Sequence, residues 1–153
     1  MDNISRAKLE ALNNPKVMEY VEEAIKLCRP AKVTVITDSE EDNNYIRELA
    51  LKNKEETPLN LEGHTVHFDS PLDQARDKAN TKYLLSKEVD WGLNINYILK
   101  DEGLPEIRSF LDGIMEGKEM LISFFCLGPT NSPFSLPAMQ ITDSAYVTHS
   151  EKI

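Results

Sequence analysis

Between Val17 and Cys28 apolar residues recur at spacings of three and four (Val17, Met18, Val21, Ala24, Ile25, Cys28), which is the stripe of an amphipathic helix. Asn14 and Pro15 supply its cap and first helical residue, and Pro30 ends it. Lys32 to Thr37 is short and β-branched, hence a strand. Asp38-Ser39 then caps a second helix carrying Tyr45, Ile46, Leu49 and Ala50. Residues 53–63, with Pro58, Asn60 and Gly63, predict a loop before a strand over 65–68. Ser70-Pro71, with Asp73 three residues after the serine, opens a predicted short helix through Ala79. Thr81 to Leu85 reads as a strand and 91–96 as a loop. Pro105 begins a predicted helix with Ile107, Phe110, Leu111 and Ile114 on one face, weakened and ended by Gly113 and Gly117.

The last third changes character. Glu119 to Leu127 is a strand of the fully buried kind, halted by Gly128-Pro129 and a loop through Asn131, Pro133 and Pro137. Met139–Thr142 and Ala145–Thr148 predict two short strands joined by Asp143-Ser144. Helices interleaved with strands and a strand-rich end define an α/β fold with a mixed β-sheet flanked by helices, since late strands joined by tight turns run antiparallel.

Charge sharpens this picture. Residues 1–60 hold twelve acids and nine bases and residues 61–120 hold twelve and seven, yet from Leu121 to Ser150 the only formal charge is Asp143. Surfaces collect charge, so such a stretch is either the covered centre of the chain's own sheet or the face that meets another domain or subunit. The whole chain carries a formal charge of −9, a field that repels phosphate backbones and anionic lipid, so neither nucleic acid nor a membrane is an expected partner. The 153 residues make one domain's worth of chain, residues 1–153. No uncharged run approaches the ~20 residues of a membrane helix, the start does not resemble a secretory signal, and two cysteines build no disulfide framework. The expected address is cytoplasmic.

Candidate chemistry is sparse. His64, His67 and Asp69 resemble metal ligands, but on a strand positions 64 and 67 point to opposite faces and only His67 and Asp69 can converge. His149, alone near the end, is expected at the surface. Glycines 63, 92, 103, 113, 117 and 128 form no phosphate-cradling loop. Cys28 and Cys126 are expected to be packed thiols, and Ser132 and Ser135 have no neighbouring base.

Some motifs do stand out. Gly128-Pro129, Ser132-Pro133, Ser135, Thr142-Asp143-Ser144 and Tyr146-Val147 follow the apolar strand, and upstream lie Cys28-Arg29-Pro30 and Asp38-Ser39-Glu40-Glu41. In residue type and spacing these resemble the amino-terminal domain of the GTP-dependent phosphoenolpyruvate carboxykinases, across nearly the whole chain. The resemblance implies a substrate-side domain of an enzyme of gluconeogenesis that converts oxaloacetate and GTP to phosphoenolpyruvate, carbon dioxide and GDP. Pro71-Leu72-Asp73-Gln74-Ala75-Arg76 fits the family's substrate-binding frame and makes Arg76 the residue expected to grip the anion. A guanidinium fork suits carboxylate or phosphate oxygens. The structural alternative is a surface arginine paired with Asp73 or Asp77. Where the family has an apolar residue and then an acid, this chain has Asp77 and Lys78, so no role passes to that acid.

The resemblance also implies Mn²⁺ or Mg²⁺ and GTP in the full-length enzyme, bound by a carboxyl-terminal nucleotide domain whose motifs fall beyond Ile153. This chain by itself is expected to be inactive and to hold neither tightly. The alternative is a stand-alone, non-catalytic anion-binding or regulatory module of the same fold.

Overall fold

The computed structural model describes residues 1–69, 77, 80–88 and 95–152. Helix α1 (Asn3–Glu10) is a feature the apolar pattern does not announce: the Asp2 carboxylate accepts the Ser5 N–H at 2.7 Å and starts it. Helix α2 (Pro15–Cys28) is capped by Asn14, whose side chain accepts the Lys16 and Val17 amides, and it ends as Arg29 turns left-handed at φ 49°. Strand β1 (Lys32–Ile36) follows. Helix α3 (Glu40–Lys52) is capped by Ser39, with Glu40, Glu41 and Asp42 at its positive end. Two-residue strands β2 (Thr57–Pro58) and β3 (Thr65–Val66) pair antiparallel. Strands β4 (Tyr83–Leu85) and β5 (Tyr97–Leu99) pair in parallel, and β5 runs straight into helix α4 (Lys100–Leu111). Strands β6 (Glu119–Leu127) and β7 (Leu136–Thr142) and helix α5 (Ala145–Ser150) complete the chain.

The main sheet has the order β1-β6-β7. β1 lies parallel to β6, from Lys32↔Glu119 to Ile36↔Ser123, and β6 lies antiparallel to β7, from Leu121↔Thr142 to Leu127↔Leu136. The expected mixed α/β sheet is therefore present. Alternation along the strands serves two cores. Val33, Val35, Met120 and Ile122 pack with Leu9, Val21, Cys28 and Met115, whereas Ile36 and Leu121 pack with Ile46, Ala50 and Ala145.

Several expectations are corrected. Residues 145–148 are helical, because the Ser144 hydroxyl accepts the Val147 N–H at 3.2 Å and caps a helix in place of a strand turn. Helix α4 begins five residues before Pro105, which sits inside it, and Ile114 lies past its end. One turn in, Pro105 forgoes only the amide bond to the Asp101 carbonyl, while Asp101 and Glu102 favour the start. Strands β2 and β5 were not expected. The predicted helix over 73–79 lies outside the described residues except for Asp77, which is not helical, and of the 91–96 loop only Ile95 and Asn96 are described. Strand β6 is buried over Met120–Ser123 but its end, Cys126 and Leu127, is exposed. Among the described residues no helix is long and apolar enough to cross a membrane.

Candidate functional site

Arg76, the residue the sequence singles out, lies outside the described residues. Its segment is bracketed by two described acids. Asp69 closes the stretch after β3. Asp77 is bound by residues that follow it: its carboxylate accepts the Asn80 main-chain N–H at 3.0 Å and the Asn80 side-chain amide at 2.5 Å, and its carbonyl accepts the Thr81 N–H at 3.0 Å.

At the Asp69 end, residues 55–69 are tied to α5 by two carboxylates and two imidazoles. Glu55 Oε2 accepts the Ser144 hydroxyl at 2.5 Å and the Tyr146 N–H at 2.9 Å. Burial pushes the Glu55 carboxyl up, but the bonds from Ser144 and Tyr146 outweigh it and hold the group below its ordinary value. The His67 ring stacks on Tyr146 with centroids 3.5 Å apart and planes 12° from parallel. Its Nδ1 meets the Glu55 carbonyl at 2.5 Å and its Nε2 meets Asp69 at 3.2 Å. The Glu55 carbonyl chiefly, against some desolvation, raises the imidazole above its usual range, with Asp69 adding to it.

His67 and Asp69 thus converge as their spacing predicts, while the exposed His64 turns to the Glu62 carbonyl. His149, expected at the surface, is corrected: its Nδ1 lies 2.6 Å from Oε1 of the buried Glu56. Glu55 and Glu56 went unnoticed in the sequence because two acids after a helix end look like ordinary solvated surface. Their partners on α5 lie about ninety residues away.

The motif residues near the chain's end act locally. Asp143 pairs with Lys118 at 2.5 Å, Ser144 caps α5, Ser132 Oγ accepts the Phe134 N–H, and Ser135 Oγ donates to the Pro129 carbonyl. A polar pocket of about 380 Å³ beside Lys118, Glu119 and Asp143 has its charges matched, since Glu119 is bound by Lys32 and by Tyr45 at 2.8 Å. Arg29 is likewise committed, to Asp112 and Glu116. Cys28 is buried, and desolvation chiefly, with Asp143 nearby, raises its thiol; Cys126 is exposed, contrary to expectation, because β6 outruns its cover. Among the described residues no group of three or more His, Cys, Asp or Glu side chains is placed to hold a metal ion.

A mixed α/β unit whose Thr-Asp-Ser-x-Tyr-Val signature fastens its last helix is therefore the class to which this chain is to be compared. The chain belongs to the phosphoenolpyruvate carboxykinase N-terminal domain family, which it matches over residues 19–153. A protein of Pyrococcus horikoshii named phosphoenolpyruvate carboxykinase (GTP) is 53% identical over 144 residues, covering 94% of this chain and 23% of that protein. A protein of the same name from Thermococcus kodakarensis is 50% identical over 155 residues, covering 100% of this chain and 24% of that protein. Another from Chlamydia abortus is 31% identical over 147 residues, with 94% and 24% covered. The chain spans about a quarter of the length of the curated relatives it matches.

Proposed function

We propose that this chain is the substrate-side, amino-terminal portion of a GTP-dependent phosphoenolpyruvate carboxykinase. The observation that carries the proposal is identity of about half its residues to carboxykinases along 94% or more of its length. In that enzyme oxaloacetate loses its β-carboxylate as carbon dioxide. The enolate oxygen then takes the γ-phosphoryl group of GTP, releasing GDP. Arg76 is the proposed anion grip: two parallel N–H bonds from one guanidinium fix a carboxylate or phosphate in register while the enolate develops. A divalent metal, when bound, would polarise the oxaloacetate oxygens as a Lewis acid. By the resemblance to the family, metal and nucleotide are assigned to the polypeptide beyond the span shared with the relatives.

The test is kinetic and uses the intact enzyme. Arg76→Ala should lower kcat/KM for oxaloacetate by about 10² to 10⁴, the equivalent of one or two charge-assisted bonds, with GTP affinity within about twofold of wild type. Arg76→Lys should recover only part of the loss, since a point charge does not replace a planar fork. Wild-type kinetics in the alanine variant would retire the assignment.

A further inference from the structure

The main sheet has two outer edges, and they are treated differently. Along β1, helix α1 closes the edge: Ser5 Oγ donates to the Val33 carbonyl and accepts the Val35 N–H, both at 3.3 Å, and Lys8 Nζ donates to the Val35 carbonyl at 3.0 Å. Along β7 no hydrogen bond from another described residue outside β6 reaches the main chain. Exposed edges in monomeric proteins are usually guarded by charged side chains or proline. β7 has Pro137 at one end and no charge anywhere, and the uncharged stretch runs from Leu121 to Thr142.

The register adds a second, independent observation. β1 ends opposite Ser123, yet β6 and β7 continue through four further pairs, Phe124↔Met139 to Leu127↔Leu136. This overhanging ribbon is two-stranded, a form that is marginal in water without something packed on it. At its tip Leu127, Phe134 and Leu136 are 54%, 86% and 64% exposed. Just inside it the register neighbours Ser123 and Gln140 each bury a side-chain oxygen that has no partner among the described residues.

We propose that the edge of β7, unpaired among the described residues, takes an added strand from the polypeptide that makes up the remaining three-quarters of the relatives' length, and that this segment also covers the ribbon tip. The proposal rests on the reading of this chain as part of a longer carboxykinase. A strand is the fitting occupant because an uncharged, unguarded edge offers main-chain donors and acceptors. Its neighbours supply apolar side chains for it to cover. A complementary surface elsewhere in the same polypeptide is present at high effective concentration, which accounts for the lack of guarding charges.

The test uses the intact protein of the relatives' length, with its carboxykinase activity measured on the same preparation. In an antiparallel edge strand alternate amides bond to the inner neighbour and the others face outward. Strand addition protects the consecutive amides of Ala138, Met139, Gln140 and Ile141 from hydrogen exchange, each by more than about a hundredfold. It also makes native Cys126 react with a maleimide at least about tenfold more slowly than the same thiol in the unfolded protein. Alternate β7 amides exchanging freely, or a Cys126 that labels at the unfolded rate, would overturn the proposal even in an active enzyme. Protection lost on dilution would overturn it as well, assigning the edge to a second copy. Absence of carboxykinase activity would instead strike the reading on which the proposal rests.

Discussion

Asp42 concentrates more polar bonding than any ordinary surface acid needs. Its carboxylate accepts Lys8 Nζ at 2.7 Å and the Thr37 N–H and hydroxyl at 2.8 and 2.6 Å. Burial by itself would raise this carboxyl. The bonds from Lys8 and Thr37 prevail and lower it below its ordinary value of 3.8. Asp42→Asn keeps the shape but removes the charge and turns a donor toward Thr37, so it should cost about 2–4 kcal/mol at neutral pH in a denaturant titration. A depressed acid contributes stability above its unfolded value and loses it as pH falls through its folded value. The gap between wild type and Asp42→Asn should therefore be full above about pH 4–5 and close at more acidic pH; a gap independent of pH would deny the linkage. Side-chain environments of this kind were poorly legible beforehand. The acidic turn after β1 was visible as a helix start, but Asp42 meets Lys8 across thirty-four residues. His149 and Cys126 were misjudged for the same reason: neither Glu56 nor the end of the cover over β6 is a local property. Arg76 rests on motif spacing alone.

At the scale of elements, α5 shows how one side chain decides between strand and helix. Tyr146, Val147 and Thr148 favour β structure by type, and residues 145–148 read naturally as a strand. Ser144 overrides that preference by capping the helix while donating to Glu55. Ser144→Ala should cost about 1–2 kcal/mol, the loss of a cap and of one bond to a carboxylate. Ser144→Asp retains the cap but sets a second carboxylate against Glu55, so it should be worse than alanine at neutral pH and recover relative to it in acid. If aspartate proves as good as serine at pH 7, the Glu55 contact contributes nothing. Elements whose signal is local were legible: α2 with Asn14 and Pro15, α3 with Ser39, and β6 with its unbroken apolar run. Helix α1 was not, because its only buried residues are Ser5 and Leu9, too few to make a stripe. Strand β5 and the start of α4 were hidden by Pro105, which looks like a first helical residue wherever it falls near one.

Across the whole molecule, cohesion is uneven. One apolar core draws its buried residues from α1, α2, Met115 and the main sheet and the other from α3, α5 and the main sheet, and neither takes a buried residue from β4, β5 or α4. Those three elements instead pack on one another around Gly103, where a Cβ would lie 2.8 Å from Leu84 Cδ1 and 3.0 Å from Ile98 Cγ2. Helix α4 touches α2, and just past its end the Gly113 N–H bonds to the Leu27 carbonyl, the Met115 N–H to the Cys28 carbonyl, and Asp112 and Glu116 pair with the exposed Arg29. Units with few buried apolar contacts open at lower free energy than the global transition. Native-state hydrogen exchange should accordingly show the amides of β4, β5 and α4 opening before those of β1 and of Met120 to Ser123. Gly103→Val makes the separation measurable. It forces a branched side chain into a gap already tight for one carbon, and should lower the opening free energy of that unit by about 1–3 kcal/mol. The β1 and β6 amides should keep their wild-type values. An equal loss in both groups would mean that α4 and its strand pair unfold with the main sheet, and that the body is one cooperative structure despite its divided core.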